Sequence, residues 1–430
     1  MASNATVTAN SLWTYLSPPV AVGGTLHGPH AADVVIVGGS AMGHAAALHL
    51  AMAGVSVTVV DGGGRGIPEP ATNASGGLIA PQMIRGTPQS TLQQMGSEAG
   101  QRMLDLVARA GGYTRSLVET HGLDCAYQGD GFIAPFSSAQ AAHSELVARE
   151  WAEFRDDVSI VDSAETERLT GCRGYAGALV DRSGGAINPA AYAQALGRRA
   201  AALGARLYRG EPAVAVERQP SGGVIVRMAG GATLKARRAI LAANGGTMAL
   251  HPALARSMVP MRVREVATAP VPQDVRAHVL PQGHAMTDRG PDIFTIRYDQ
   301  DGRLVTAANI PWAHGLRATT RAVNKRLAHH IPGWRPLPLE FAWSGVAWLN
   351  ATLSPRFVVP EADILAIQAC NGRGIAMAGV LGEQAALWAM GQETLDIPLS
   401  DPLPIPGHAL ARHMPNIALN MAGLKGLLAR

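Results

Sequence analysis

The chain has 430 residues, of which 47% are hydrophobic and only 16% charged, with a formal net charge of +4. That length exceeds the size at which a single core usually stops growing, so two joined domains are expected. Lys and Arg are scattered rather than gathered into a basic tract, which argues against nucleic acid as a partner, and no uninterrupted apolar run is long enough to span a bilayer.

Residues 1–30 are rich in Pro, Gly and Ser and read as an arm laid over the surface. They show no cationic region ahead of an apolar core, so a signal peptide is not expected and a cytoplasmic location is. Ala31–Asp61 then reads as a strand, a glycine turn, a helix and a second strand ending in a carboxylate, the build of a dinucleotide-binding βαβ unit. Val34–Val37 is the β-branched run of a strand buried on both faces. Gly38 allows the sharp exit, and Gly43 lets the helix lie close to the sheet. The free N–H groups at the helix start then face a pyrophosphate. Asp61 stands about twenty residues past the glycines, where it can accept the ribose hydroxyls of an adenosine. In the spacing G-x-G-x-x-G the middle glycine is Ser40, whose side chain is expected to open the turn slightly. His44 follows the third glycine, either as a hydrogen-bond partner near the phosphates or as a core histidine.

The next segment is a long glycine-rich loop that ends at Gly76 and Gly77. Helical patterns at 91–121, 140–154, 164–169 and 190–203 follow, with strands at 125–136 and 175–181. Four short strands lie between 205 and 243, the last stopping at Asn244-Gly245-Gly246, where a backbone turn can again face a ligand. Antiparallel strands continue at 258–269, 294–298 and 303–308, the last two joined by a hairpin turn. A helix over 319–329 comes next. The strand 364–368, the turn Asn371-Gly372-Arg373-Gly374 and a helix over 375–390 repeat the opening logic. The first and last segments must therefore meet. Residues 416–430 are apolar with Lys425 and Arg430, suiting a helix packed on its own protein or one touching a membrane surface. Cys125, Cys172 and Cys370 lie far apart with no C-x-x-C pair, which argues against a zinc site or a disulfide framework and suits a reducing compartment. Cys370 reads as buried and inert.

With these segments in order, ADVVIVGG, ATNASGGLIAP, AINPAAYAQALGRRAAALGA, LAANGG, RYDQDGRL, FAWSGVAW and CNGRGIAMAGVLGEQAA, the chain resembles the FAD-dependent amine and amino-acid oxidoreductases of the D-amino-acid oxidase superfamily. It is most similar to the gamma-glutamylputrescine oxidoreductase branch. The resemblance implies an α/β fold: a Rossmann-like, three-layer ββα FAD-binding domain from 31–90, 165–250 and 355–400, and an antiparallel-sheet α+β substrate domain from 91–164 and 251–354. Residues 401–430 form a tail. The FAD contacts it implies are Gly38, Gly39, Ser40, Met42, Gly43 and Asp61 in the first turn, then Thr72, Ser75, Gly76, Gly77 and Leu78 in the loop. Val214, Asn244, Gly345, Gly372, Arg373, Gly374 and Ile375 complete the set. The loop's usual Arg and Asn are Ala74 and Ser75 here, which removes two donors beside the flavin. No histidine stands in the loop, so FAD is expected to bind without a covalent bond.

In such chemistry a hydride leaves the carbon next to nitrogen and the resulting imine is hydrolysed, so the protein must hold the C–H bond in place and deliver a neutral amine. A carboxylate on the substrate calls for a buried arginine, whose planar fork meets two oxygens at once. Arg297 is the first choice and Arg303 the alternative. Trp343, Trp348 and Phe341 are candidates for an aromatic wall, and His314 and Asn371 for substrate contacts. The expected partners are a small amine or amino acid and an electron acceptor, oxygen or another, with a homo-oligomer left open and no metal. An NAD-dependent dehydrogenase and a catalytically degenerate flavin-binding protein are the alternative readings.

Overall fold

A computed structural model describes residues 10–19, 24, 26–63, 70–83, 86–290, 293–309, 315–368 and 371–428. His314 and Cys370 lie outside the described residues, as do the Lys425 side chain and Arg430.

Five strands of a nine-stranded sheet run parallel, in the order Ile364–Gln368, Thr233–Leu241, Pro29–Val37, Val57–Asp61 and, at the edge, Arg206–Arg209. In the central pair Val35 and Ile36 lie in register with Ala239 and Ile240, and none of the four is exposed. Burial on both faces is what a continuous β-branched run demands. One face carries the helices Ala41–Met52, Pro189–Ala202 and Gly374–Met390, which pack on one another. The helix Ala41–Met52 is apolar on every side but for His44 and His49, because it sits between the sheet and its two neighbours. On the other face Val216, Val224 and Val226, from the small antiparallel extension built by Ala213–Arg218 and Val224–Met228, cluster with Leu234 of the parallel sheet. Sheet, second sheet layer and helices make the three layers that were expected. The start and end of the chain share this sheet.

The eight-stranded second sheet runs Leu339–Asn350, Met258–Pro270, Arg303–Ala307, Thr295–Tyr298, Ala285–Thr287, Phe132–Phe136, Gly177–Asp181 and Val158–Asp162. The hairpin expected around Asp299–Gly302 is present, with Arg297 opposite Val305 and Tyr298 opposite Leu304. Gly177–Asp181 pairs with Phe132–Phe136 and Val158–Asp162, so it belongs to this sheet and not, as the division at residue 165 implied, to the first. The longest strand pair joins Met258–Pro270 to Leu339–Asn350, with Glu265 opposite Trp343.

The arm contributes a short helix, Leu12–Leu16, whose Leu12 and Trp13 are buried. At the other end the helix Met414–Leu428 lies along the second sheet, where Asn416 accepts the Arg262 N–H at 2.8 Å and donates to the Pro260 carbonyl at 3.1 Å. No helix among the described residues is long and apolar enough to cross a membrane. Cys125 and Cys172 are free and buried, and burial pushes both thiols up to about 12, which leaves them unreactive.

Candidate active site

A cavity of about 920 Å³ lies between the two sheets and is lined by both chain ends. From the first come Gly38–Met42 and Asp61, and from the second Asn371–Ile375. Ser40 caps the helix Ala41–Met52: its hydroxyl accepts the Gly43 N–H at 3.2 Å and donates to the Ala242 carbonyl at 3.0 Å. The residue that interrupts the glycine pattern is thus tied to the helix and the adjoining strand. Gly43 does not line the cavity but seats the helix, since a Cβ there would run into the Gly38 carbonyl. Gly43→Val is expected to push the helix off the turn, at about 1–3 kcal/mol of overpacking, and to yield protein from which FAD washes out on desalting. The flavin-to-protein absorbance ratio checks this.

Asp61 lines the cavity beside Tyr208 and Arg209, with one oxygen accepting the Gly63 N–H at 3.2 Å and the other 3.6 Å from Arg209 Nε. His44 places Nδ1 2.8 Å from the Ala193 carbonyl, and desolvation lowers its pKa, so it is a neutral, satisfied histidine beside the cavity. The helix Gly374–Met390 has no side-chain cap at Arg373, so its first N–H groups stay available where it meets the cavity. Asn244, in the left-handed region at φ 51°, has a buried side-chain oxygen with no hydrogen-bond partner among the described residues.

The loop Pro70–Leu78 is pinned from three directions. Trp13 donates to the Ser75 carbonyl at 2.7 Å and Trp343 to the Ala74 carbonyl at 3.0 Å. Arg297 donates to Gly77 at 2.8 Å, Gly76 at 3.4 Å, Ile187 at 2.7 Å and its neighbour Tyr298 at 3.1 Å, always to the carbonyl, with its guanidinium 4.7 Å from the Trp13 ring centroid. Gly77 has φ 70°, and a Cβ there would strike both Ile187 and Arg297. The arm and the second sheet supply the donors that hold this loop, while Ser75 accepts the Gly77 N–H at 3.2 Å.

All the expected cofactor residues line the cavity except Gly43 and Val214. Val214 is half exposed, and Pro212 and Ala213 hold its place. Among the substrate candidates the picture changes. Arg297 is 2% exposed and committed to carbonyls, so it does not reach the cavity. Trp343 packs edge-on against Trp13 at 6.2 Å, behind the loop, and Phe341 packs on Tyr15 at 5.1 Å. Only Trp348 of the three aromatics lines the cavity. Arg303 is held by Asp299, Asp301 and Glu340 at 3.1, 2.5 and 2.7 Å, away from it. Asn371 does line it, but its amide accepts the Asn350 N–H at 3.0 Å and donates to the Ser354 carbonyl at 3.1 Å, which fixes the turn. Arg289, Arg373 and Glu265 stand there instead, with Asp288 also on the wall, its carboxylate accepting the Gly290 N–H at 3.2 Å, the Phe294 N–H at 3.1 Å and the Tyr175 hydroxyl at 3.2 Å. Glu265 carried a readable signal, an acid inside the apolar strand 258–269. Arg289 carried none beyond its charge.

A model of the family described as FAD dependent oxidoreductase (DAO) matches residues 33–388. The chain belongs to this family. It is 28% identical to the "Probable oxidoreductase OrdL" of Rhizobium meliloti over 88% of this chain and 87% of that one, and 24% identical to the gamma-glutamylputrescine oxidoreductase of Escherichia coli over 84% of each. In fold it is similar to the glycine oxidase of Geobacillus kaustophilus, with TM-score 0.69, 21% identity and coverage of 85% of this chain and 96% of that one. It is equally similar to an L-amino acid deaminase of Proteus vulgaris, with TM-score 0.70, 20% identity and coverage of 89% and 95%. The DAO cofactor is FAD, and the reaction is oxidation of an amine or amino acid. An NAD-dependent dehydrogenase is thereby set aside. The residues present fit FAD: a glycine cradle closed to any Cβ, a carboxylate beside the adenosine turn and uncapped N–H groups from the far end of the chain meet in one cavity.

Proposed function

We propose that the substrate is an amine bearing a carboxylate, held by Arg289 and Arg373. The observation that carries this reading is that both guanidiniums line the cavity and neither makes an ion pair among the described residues. Among the described residues the Arg289 guanidinium donates only to the Ser144 hydroxyl, at 3.1 Å, and the Arg373 guanidinium lies 5.7 Å from the Phe132 ring centroid. Desolvation lowers the pKa of both, and with Arg289 as a like-charged neighbour Arg373 is pushed down to about 10. Two desolvated cations without an ion pair among the described residues are satisfied by an anion, and a carboxylate accepts from both in a planar arrangement. The names of relatives agree: one acts on gamma-glutamylputrescine, and structural neighbours are named for glycine and L-amino acids.

When bound, FAD would supply the acceptor for a hydride from the carbon next to nitrogen. The chain's part is to place that carbon: Arg289 and Arg373 anchor one end, while Phe132, Ala134 and Trp348 supply apolar wall that limits water. The electrons pass to oxygen or to another acceptor, and the chain works in the cytoplasm, alone or as a homo-oligomer. Oxygen uptake, fractionation and sedimentation test these points in turn. For the carboxylate, Arg289→Met and Arg373→Met are each expected to raise KM about 10- to 100-fold, the loss of a charge-assisted hydrogen bond, with little change for butylamine, which has no carboxylate. Equal losses on both substrate types would contradict the assignment.

A further inference from the structure

Met261, Val263 and Glu265 alternate along the strand Met258–Pro270, so the pleat sets all three on the cavity side, with Arg262 and Arg264 on the exposed side. Glu265 is therefore an acid in an otherwise apolar face. It is 8% exposed, and its Oε2 has no hydrogen-bond partner among the described residues. Its Oε1 lies 3.6 Å from the position a Cβ on Gly76 would take, under the loop assigned to the flavin. The cations facing it are Arg297 from the strand Thr295–Tyr298 and Arg326 from the helix Leu316–His330. Arg297 is committed to carbonyls, and Arg326 donates to the Ala307 carbonyl at 3.3 Å. An unpartnered carboxyl oxygen in an apolar wall is unfavourable in the empty protein, and a donor carried in by a ligand removes that cost.

We propose that Glu265 receives the substrate's nitrogen: its carboxylate takes the proton an ammonium must lose before oxidation, and keeps the neutral amine hydrogen-bonded in place. One N–H bond breaks, its electron pair stays on nitrogen, and one O–H bond forms on the carboxylate. The cavity would then read an amino acid at two poles, the nitrogen at Glu265 and the carboxylate at Arg289 and Arg373. The second pole rests on the proposed function above; the first does not.

Burial, opposed by Arg326 and Arg297, pushes the Glu265 carboxyl up to about 8. The bound pair shares one proton between oxygen and nitrogen. Below about pH 8 the free carboxyl and the free ammonium hold two, so affinity rises about tenfold per pH unit. Between about 8 and about 10, where an alkylamine such as that of lysine deprotonates, they hold one and affinity is level. Without the carboxyl the bound amine brings no shared proton, and affinity climbs up to about 10. The empty protein gives a second readout. A carboxyl raised above its unfolded value of about 4.3 stabilises the fold fully below that pH, and the contribution is lost as pH rises through about 8.

The test uses the FAD-loaded protein and whichever of glycine, L-proline, iminodiacetate or gamma-glutamylputrescine reduces it fastest without oxygen. The dissociation constant is taken from the concentration dependence of bleaching between pH 6.5 and 10.5. The wild type and Glu265→Asp are expected to level off near pH 8, whereas Glu265→Gln climbs about tenfold per unit to about pH 10. Glu265→Gln should also flatten the fall in melting temperature of the FAD-free protein between pH 5 and 8. A break near 8 that survives in Glu265→Gln overturns the proposal. So does a Glu265→Gln protein that loses FAD affinity but keeps the wild-type substrate profile, since the carboxyl would then serve the cofactor. Inhibition by acetate, a carboxylate without an amine, separates the two poles. It should be unchanged in Glu265→Gln and weakened in Arg289→Met, and a failure confined to Arg289→Met removes the carboxylate reading alone.

Discussion

Replacing Arg297 with methionine is expected to lower stability by about 3–5 kcal/mol and to release FAD, with no selective loss of carboxylate substrates. The side chain is fully inside, its guanidinium lies on the Trp13 ring, and its N–H groups meet the carbonyls of Gly76, Gly77, Ile187 and Tyr298. Those bonds join the loop Pro70–Leu78 to the second sheet and to the segment before the helix Pro189–Ala202. Burial pushes the guanidinium down to about 10, so it stays charged at neutral pH and strengthens each bond. Methionine fills much of the volume but leaves the Ile187 carbonyl without its donor. Lysine should rescue poorly, because one ammonium cannot reproduce a planar fork. Thermal melting with flavin fluorescence reports both losses. A variant that retained FAD and lost only carboxylate affinity would restore Arg297 as the clamp.

Asp181→Asn is the second large effect, again about 3–5 kcal/mol. Asp181 is 0% exposed, and Arg155 meets it through two nitrogens, at 2.5 and 3.2 Å. Ser183 adds its N–H at 3.1 Å and its hydroxyl at 2.8 Å, and Gln82, a cavity residue, donates at 3.4 Å. Removing the charge leaves Arg155 buried with only the partly exposed Asp157, 3.5 Å away, as counter-ion. The attraction of Asp181 for Arg373 goes with it. Denaturant melts should show the loss, and carboxylate KM should change less than in Arg373→Met. A melt within about 0.5 kcal/mol of wild type would mean that the pair is not needed for stability.

The nucleotide half of the fold was legible because its signals are local. A β-branched run, Gly38, Gly43 and Asp61 each require a particular backbone, and the structure puts them where that backbone needs them. The strand Ile364–Gln368 and its following turn repeat the same local pattern, which is why the meeting of the two chain ends could be foreseen. The long strand Leu339–Asn350 was present in FAWSGVAW as buried Phe341, Trp343 and Ala347 alternating with more exposed neighbours. Its aromatics suggested a wall over the flavin. Which face meets the cavity depends on the arm helix Leu12–Leu16, whose Trp13 covers Trp343 from 330 residues away in sequence. Arg297 misled for a similar reason. A buried arginine on the right strand can hold a carboxylate or a set of carbonyls, and only the approach of Gly76, Gly77 and Ile187 decides between them. Arg289 follows the strand Ala285–Thr287 in a segment with no periodicity, and its role rests on distant contacts. Glu265 broke an apolar pattern in plain view, and an acid at a buried strand position is the kind of local conflict that functional sites carry.

The central claim is that turns from both ends of the chain hold one FAD against a cavity that accepts an amino acid. Anaerobic titration of the purified yellow protein with the amine panel tests it most directly. Loss of the flavin absorbance on adding a carboxylate-bearing amine, with weaker response to butylamine, is the predicted result. A protein that stays colourless with added FAD, or a flavin that no amine or amino acid reduces, would contradict it.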